Sequence, residues 1–230
     1  MGTMTLPVEQ RFRQELSVLE ELFPMTGVRE SLPRLNEIHV FTEAKWREYV
    51  EQLPNRFVNY LLIAEAPPWS DAGTPQYVLD PASRPRTLMR ALRKAFLVPK
   101  RNDAGIALKQ FAQRGLLIVD SIPFAMDYSG KRSRPKYYRL VQLTARSYLQ
   151  EKLNSAPLSW SPSLQIAFSV HLNALAVMRG LGDEIVIGGS PVALSPEMIA
   201  VSGRITPMAT SCARDGASES LTWRADDEDI

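Results

Sequence analysis

The chain contains one cysteine, Cys212, which excludes an internal disulfide framework and a cysteine-based zinc site. Its two histidines, His39 and His171, are too few for a histidine-rich metal site. No apolar run approaches the ~18–20 residues of a membrane span, and residues 1–10 hold no apolar core of a secretory signal. Gly-x-Gly-x-x-Gly and Gly-x4-Gly-Lys-Ser/Thr do not occur, which disfavours dinucleotide and P-loop enzymes. A Gly-x-Ser-x-Gly hydrolase elbow is missing as well, and no internal repeat is visible. A cytoplasmic protein with no metal and no cofactor is the resulting expectation.

The 230 residues, 45% hydrophobic and 23% charged, fit one globular domain with a tail. The domain is expected over 1–215, with N-terminal helices from 8–53 packed on it and a flexible acidic tail over 216–230. A net charge of +2 conceals a strong asymmetry. Residues 84–139 carry 14 Lys/Arg and three Asp/Glu, while the rest of the chain is net acidic. Such a block attracts a polyanion. Its densest part, 131–139, sets Tyr137 and Tyr138 among Lys131, Arg132, Arg134, Lys136 and Arg139. Cations with interleaved aromatics suit phosphate contacts and base stacking, although a solvated loop has the same composition. A nucleic acid is the kind of polyanion this pattern suits. No membrane and no obligatory protein partner is implied, and a monomer is expected.

Periodicity predicts helices over 8–22, 43–53 (Thr42 as N-cap), 87–96, 104–114, 137–153, 173–179 and 197–204. Short apolar runs predict strands over 57–64, 116–120, 164–170 and 184–187. Strands alternating with helices imply parallel pairing through crossovers. The expected fold class is therefore α/β, with a central four-stranded, mainly parallel sheet. Ligands of such sheets bind outside the carboxyl ends of the strands, where Glu65, Asp120, His171 and Gly189-Ser190 fall.

The run Leu61-Leu62-Ile63-Ala64-Glu65-Ala66-Pro67-Pro68 resembles the first motif of the uracil-DNA glycosylase superfamily, a strand followed by Gly-Glu-Ala-Pro-Gly, with Ala64 and Pro68 replacing the glycines. The strand 116–120 resembles the family's second strand, with Asp120 where a base-reading Asn is common. Gly188-Gly189-Ser190-Pro191 has the order of the third motif and lacks its histidine. The resemblance spans roughly 58–200. It implies a three-layer α/β/α sandwich and metal-independent cleavage of the N-glycosidic bond of a base flipped out of DNA.

By resemblance Glu65 stabilises the oxocarbenium-like sugar and orients water; a capping carboxylate at a strand end is the plainer alternative. An ionised Asp120 offers acceptors only, which suits the exocyclic amine of cytosine over uracil. A modified cytosine, as in some phage DNA, is the preferred substrate and uracil the second, so a defence role against such phage would follow. Asp120 as an Asx-turn former is the alternative. Tyr77, Trp69 and, after them, Phe124 are candidates to stack on the base. Ser190 and its glycines are candidates to approach a phosphate. His171 could stabilise the departing base, and Arg204 could substitute for the missing histidine or contact a phosphate. The catalytic reading requires Glu65 and Asp120 to border one pocket. A non-catalytic nucleic-acid-binding protein on the same scaffold would need the basic block alone.

Overall fold

The computed structural model describes residues 7–25, 27–70, 73–83, 87–99 and 103–194. The helix expected over 197–204, Arg204 and the acidic tail lie outside the described residues, as does the His171 side chain.

The chain opens with α1 (Val8–Arg11), α2 (Arg13–Leu22) and α3 (Leu32–Val50). The helix expected over 43–53 is thus the second half of a longer one. Thr42 is a mid-helix residue and not an N-cap; its hydroxyl donates back to the His39 carbonyl at 3.0 Å.

Two apolar runs form the centre of the sheet. β1 (Phe57–Ala64) lies between β2 (Leu116–Asp120) and β3 (Ser159–Phe168), and both pairings are parallel. Every residue of β2 and every residue from Leu61 to Ala64 is buried. These strands are covered on both faces, which is why they read as continuous apolar runs. The outer edge of β2 is closed by α3. The Trp46 indole N–H donates to the Ile118 carbonyl at 3.0 Å and the Tyr49 hydroxyl to the Leu116 carbonyl at 2.8 Å. These carbonyls alternate with that of Gly115, which bonds β1. Side chains thereby satisfy an edge that would otherwise recruit another strand.

The crossover from β1 to β2 carries α4 (Thr87–Ala95) and α5 (Ala104–Gln113). The crossover from β2 to β3 carries α6 (Pro135–Thr144), a π-helical stretch (Ala145–Gln150) and α7 (Glu151–Ser155). α8 (His171–Leu181) follows β3. Gly180 lets α8 approach α6 closely, since a Cβ there would sit 2.7 Å from Gln142 Cα.

Among the described residues the central sheet has three strands and not the expected four. β4 (Glu184–Ile187) pairs antiparallel with β5 (Ser190–Ala193) in a separate two-stranded sheet. Gly188 and Gly189, at φ +58° and +82°, form the two-residue turn whose twist suits a hairpin. A parallel return would need a dozen or more residues.

A buried polar cluster ties α3 to the α6–α7 helix. Lys152 Nζ lies 2.6 Å from Glu43 Oε1 and 4.5 Å from the centre of the Trp46 ring, and the Tyr148 hydroxyl donates to Glu43 Oε1 at 2.8 Å. Burial pushes the Glu43 carboxyl up, but the Lys152 charge and these hydrogen bonds reverse that and hold it at about 2. One turn earlier, His39 is buried with no hydrogen-bond partner on either ring nitrogen among the described residues. It packs edge-on to Phe12, and burial lowers its pKa to about 4. Among the described residues no helix is long and apolar enough to cross a membrane.

Candidate active site

A cavity of about 160 Å³ opens beside the carboxyl ends of β1 and β2. Ala64, Ala66 and Pro68 of the β1 exit form one wall, and Leu88 and Met89 of α4 another. Tyr77, Asp80, Ser83 and Asp120 supply the polar groups. A cavity of roughly this size holds a single six-membered ring. An apolar cleft with a few convergent polar groups is the usual form of a small-ligand site.

Asp120 is buried, and its Oδ2 accepts from the Tyr77 hydroxyl at 2.9 Å. Burial raises its pKa to about 6, against the opposing Lys152 charge and the Tyr77 hydrogen bond. Burial likewise pushes the Tyr77 phenol well above its ordinary value, so it remains a donor. Asp80 is fixed by the turn around it. Its Oδ2 accepts from the Ser83 hydroxyl at 2.9 Å and its Oδ1 from the Ala82 N–H at 3.3 Å. Two carboxylates, one phenol and the Ser83 hydroxyl therefore border an otherwise apolar cavity, and the carboxylates favour a ligand bearing N–H donors. Arg34 of α3 pins the loop that carries this wall. It donates to the Ser70 carbonyl at 2.9 Å, and to Ser70 Oγ and the Gly73 carbonyl at 2.8 Å each.

Glu65 is placed differently from the sequence expectation, and it is not among the residues lining this cavity. Ala64 and Asp120 are register partners in the β1–β2 pair, so they share a face. Alternation turns the next residue of each chain the other way. There Arg132 Nε and Nη2 donate to Glu65 Oε1 and Oε2 at 2.7 Å each, and the Tyr137 hydroxyl donates to Oε1 at 2.7 Å. Such a bidentate, charge-assisted pair is among the stronger hydrogen-bonded arrangements in proteins. Ser121 follows the same rule: it accepts from Asn173 Nδ2 of α8 at 2.8 Å. The two carboxylates expected over one pocket thus lie on opposite sides of the sheet's carboxyl end.

The remaining expectations separate in the same way. Tyr77 joins Asp120 through its hydroxyl, is buried and lines the cavity. Trp69 is half-buried against the core. Phe124 is buried edge-on to Phe12 and belongs to the core. Ser190 is exposed on the β4–β5 hairpin, where the glycines before it make a turn. In the basic run, Arg132 is held by Glu65, Lys136 lies 3.1 Å from Glu21, and Lys131 sits 5.5 Å from the Phe23 ring centre. Arg134 and Arg139 are exposed.

Asp80, Ser83 and Arg34 were missed from sequence. Asp80-Pro81-Ala82-Ser83 carries a turn signature, but nothing in it indicates a cavity. Arg34 is 36 residues from its partner Ser70, and no local pattern reveals that contact. No protein-family model matches the chain, and neither does any curated protein or solved structure.

Proposed function

We propose that the protein is a monofunctional DNA glycosylase built as an α/β/α sandwich. It takes an everted cytosine-type base into the Asp120 cavity and leaves an abasic site. A modified cytosine is the preferred substrate and uracil the second. The observation that carries this reading is the ring-sized, mostly apolar cavity at the strand ends with buried Asp120 on its wall. Ionised Asp120 accepts from the exocyclic amine, and Tyr77 fixes its other oxygen.

Glu65 and Asp120 do not border one pocket, so the reading that rests on Glu65 fails; the present one rests on Asp80, which lines the cavity with Asp120 and takes the role first expected of Glu65. The two hydrogen bonds that Asp80 accepts leave acceptor capacity for a water. The water oxygen bonds to the sugar C1′ as the C1′–N1 bond breaks. One proton passes to Asp80, the bonding electron pair leaves with the base, the base anion takes a proton from solvent, and Asp80 releases its proton to solvent. Glu65 holds Arg132 and the β1 exit in place.

The test is incubation with genomic DNAs of differing cytosine modification, with free bases identified by mass spectrometry. Release by the wild type that is lost in Asp80→Asn and altered in base preference by Asp120→Asn supports the reading. No free base from any of these DNAs overturns it. One observation favours the non-catalytic nucleic-acid-binding alternative: Glu65 is engaged by both Arg132 and Tyr137. Salt-sensitive binding with unchanged DNA would establish that alternative.

A further inference from the structure

We propose that the DNA backbone lies on the exposed basic face of α4 and α5, led by Arg90, Lys94 and Lys109, and not on the basic run 131–139 at the start of α6. The inference rests on the glycosylase reading, because a base held in the cavity fixes where its flanking phosphates must be. They must leave through the opening of the cavity, and two of the elements that line it are α4, through Leu88 and Met89, and α5, through Ala104.

α4 buries Met89, Leu92 and Arg93 and exposes Arg90 and Lys94. These two are four residues apart and share one helix face. Lys109 is exposed on α5. None of the three makes an ion pair among the described residues. The sequence from 84 to 114 holds nine Lys/Arg and one acidic residue, Asp103. That aspartate caps α5 by accepting from the Ile106 N–H at 2.7 Å. The 131–139 run is denser in cations, but Arg132 and Lys136 already face Glu65 and Glu21. A cation paired with a carboxylate releases fewer counterions from DNA than an unpaired one.

The test compares two double variants with equal loss of charge, Arg90→Gln/Lys94→Gln and Arg134→Gln/Arg139→Gln. Binding of a fluorescent DNA duplex is read by anisotropy between 50 and 200 mM salt. All four side chains are exposed, and matched thermal midpoints confirm that both variants fold. For two lost phosphate contacts, affinity at 0.1 M salt should fall roughly 50-fold, and the log–log salt slope should shrink by about two. That loss is expected in the α4 variant alone, with the other staying within about threefold, and Arg90→Lys/Lys94→Arg should bind as the wild type does. Loss confined to the Arg134/Arg139 variant, or equal loss in both, overturns the footprint. Base release by the wild type would then leave the glycosylase reading standing. Binding through α4 without base release overturns the glycosylase reading and keeps the footprint. No DNA binding at all, or a tenfold preference for RNA, overturns the footprint.

Discussion

Two buried groups with opposite pH dependence should nearly cancel in the wild type and become visible when either is removed. Asp120 titrates at about 6 in the folded state against 3.8 ordinarily. Between those values the folded chain holds a proton that the unfolded chain has lost, so stability rises as pH falls through that window. His39 titrates at about 4 against 6.5. Between those values the unfolded chain holds the proton, so stability falls as pH falls. At 1.36 kcal/mol per pH unit, each window is worth about 3 kcal/mol, with opposite sign. The wild type should therefore change little between pH 7 and pH 4.5. Asp120→Asn keeps an acceptor for Tyr77 and removes the buried charge. It should be more stable than the wild type at pH 7.5 by about 3 kcal/mol, and that advantage should shrink on acidification. His39→Phe keeps a ring against Phe12 and removes the buried base. Its stability should rise on acidification, whatever the cost of fitting a larger ring. Below about pH 4.5 every form should weaken, because Glu43, held at about 2 in the folded state, loses its paired charge. Urea unfolding at half-unit pH steps reads all these slopes. Asp120→Asn destabilised at pH 7.5, or His39→Phe with the pH profile of the wild type, would refute the reasoning.

Further outcomes follow from the packing. Lys152→Met should cost about 3–5 kcal/mol by leaving Glu43 buried without its counter-charge, and adding Glu43→Gln should recover much of that in a double-mutant cycle. Arg34→Ala should leave global unfolding within about 1 kcal/mol of the wild type yet raise amide exchange in residues 69–78 severalfold, because three hydrogen bonds to that loop disappear. Gly180→Ala should cost about 1–3 kcal/mol, read by thermal unfolding, since the added methyl meets the Gln142 backbone and not a movable side chain.

The parts of the fold legible in sequence are those where one physical pattern dominates. β1 and β2 are apolar on both faces, so 57–64 and 116–120 stand out without knowledge of their partners. β3 begins at Ser159, five residues before its expected start, because its first half is Ser-Trp-Ser-Pro-Ser and partly exposed. Thr42 is a good N-cap residue type, which places the start of α3 too late. Its true start carries Pro33 in the first turn, an equally good signal. The short apolar run 184–187, alternating with helices, reads as a fourth parallel strand, although two glycines between two short runs are a hairpin signature.

The site was half legible for a geometric reason. A polar residue ending a buried run marks a strand end, so Asp120 and Glu65 were both identifiable. Which face each side chain takes depends on the β1–β2 register, and a shift of one residue exchanges the faces. Ala64 opposite Asp120 sends Glu65 to Arg132 and Tyr137. Of that carboxylate pair, Asp120 remains with Tyr77 in the cavity, and Asp80 enters from a loop whose Pro-rich sequence describes only a turn. An acid with a raised pKa in an apolar cleft is a frequent mark of a functional site. At neutral pH it weakens the fold that holds it, which favours a role in binding over a role in stability.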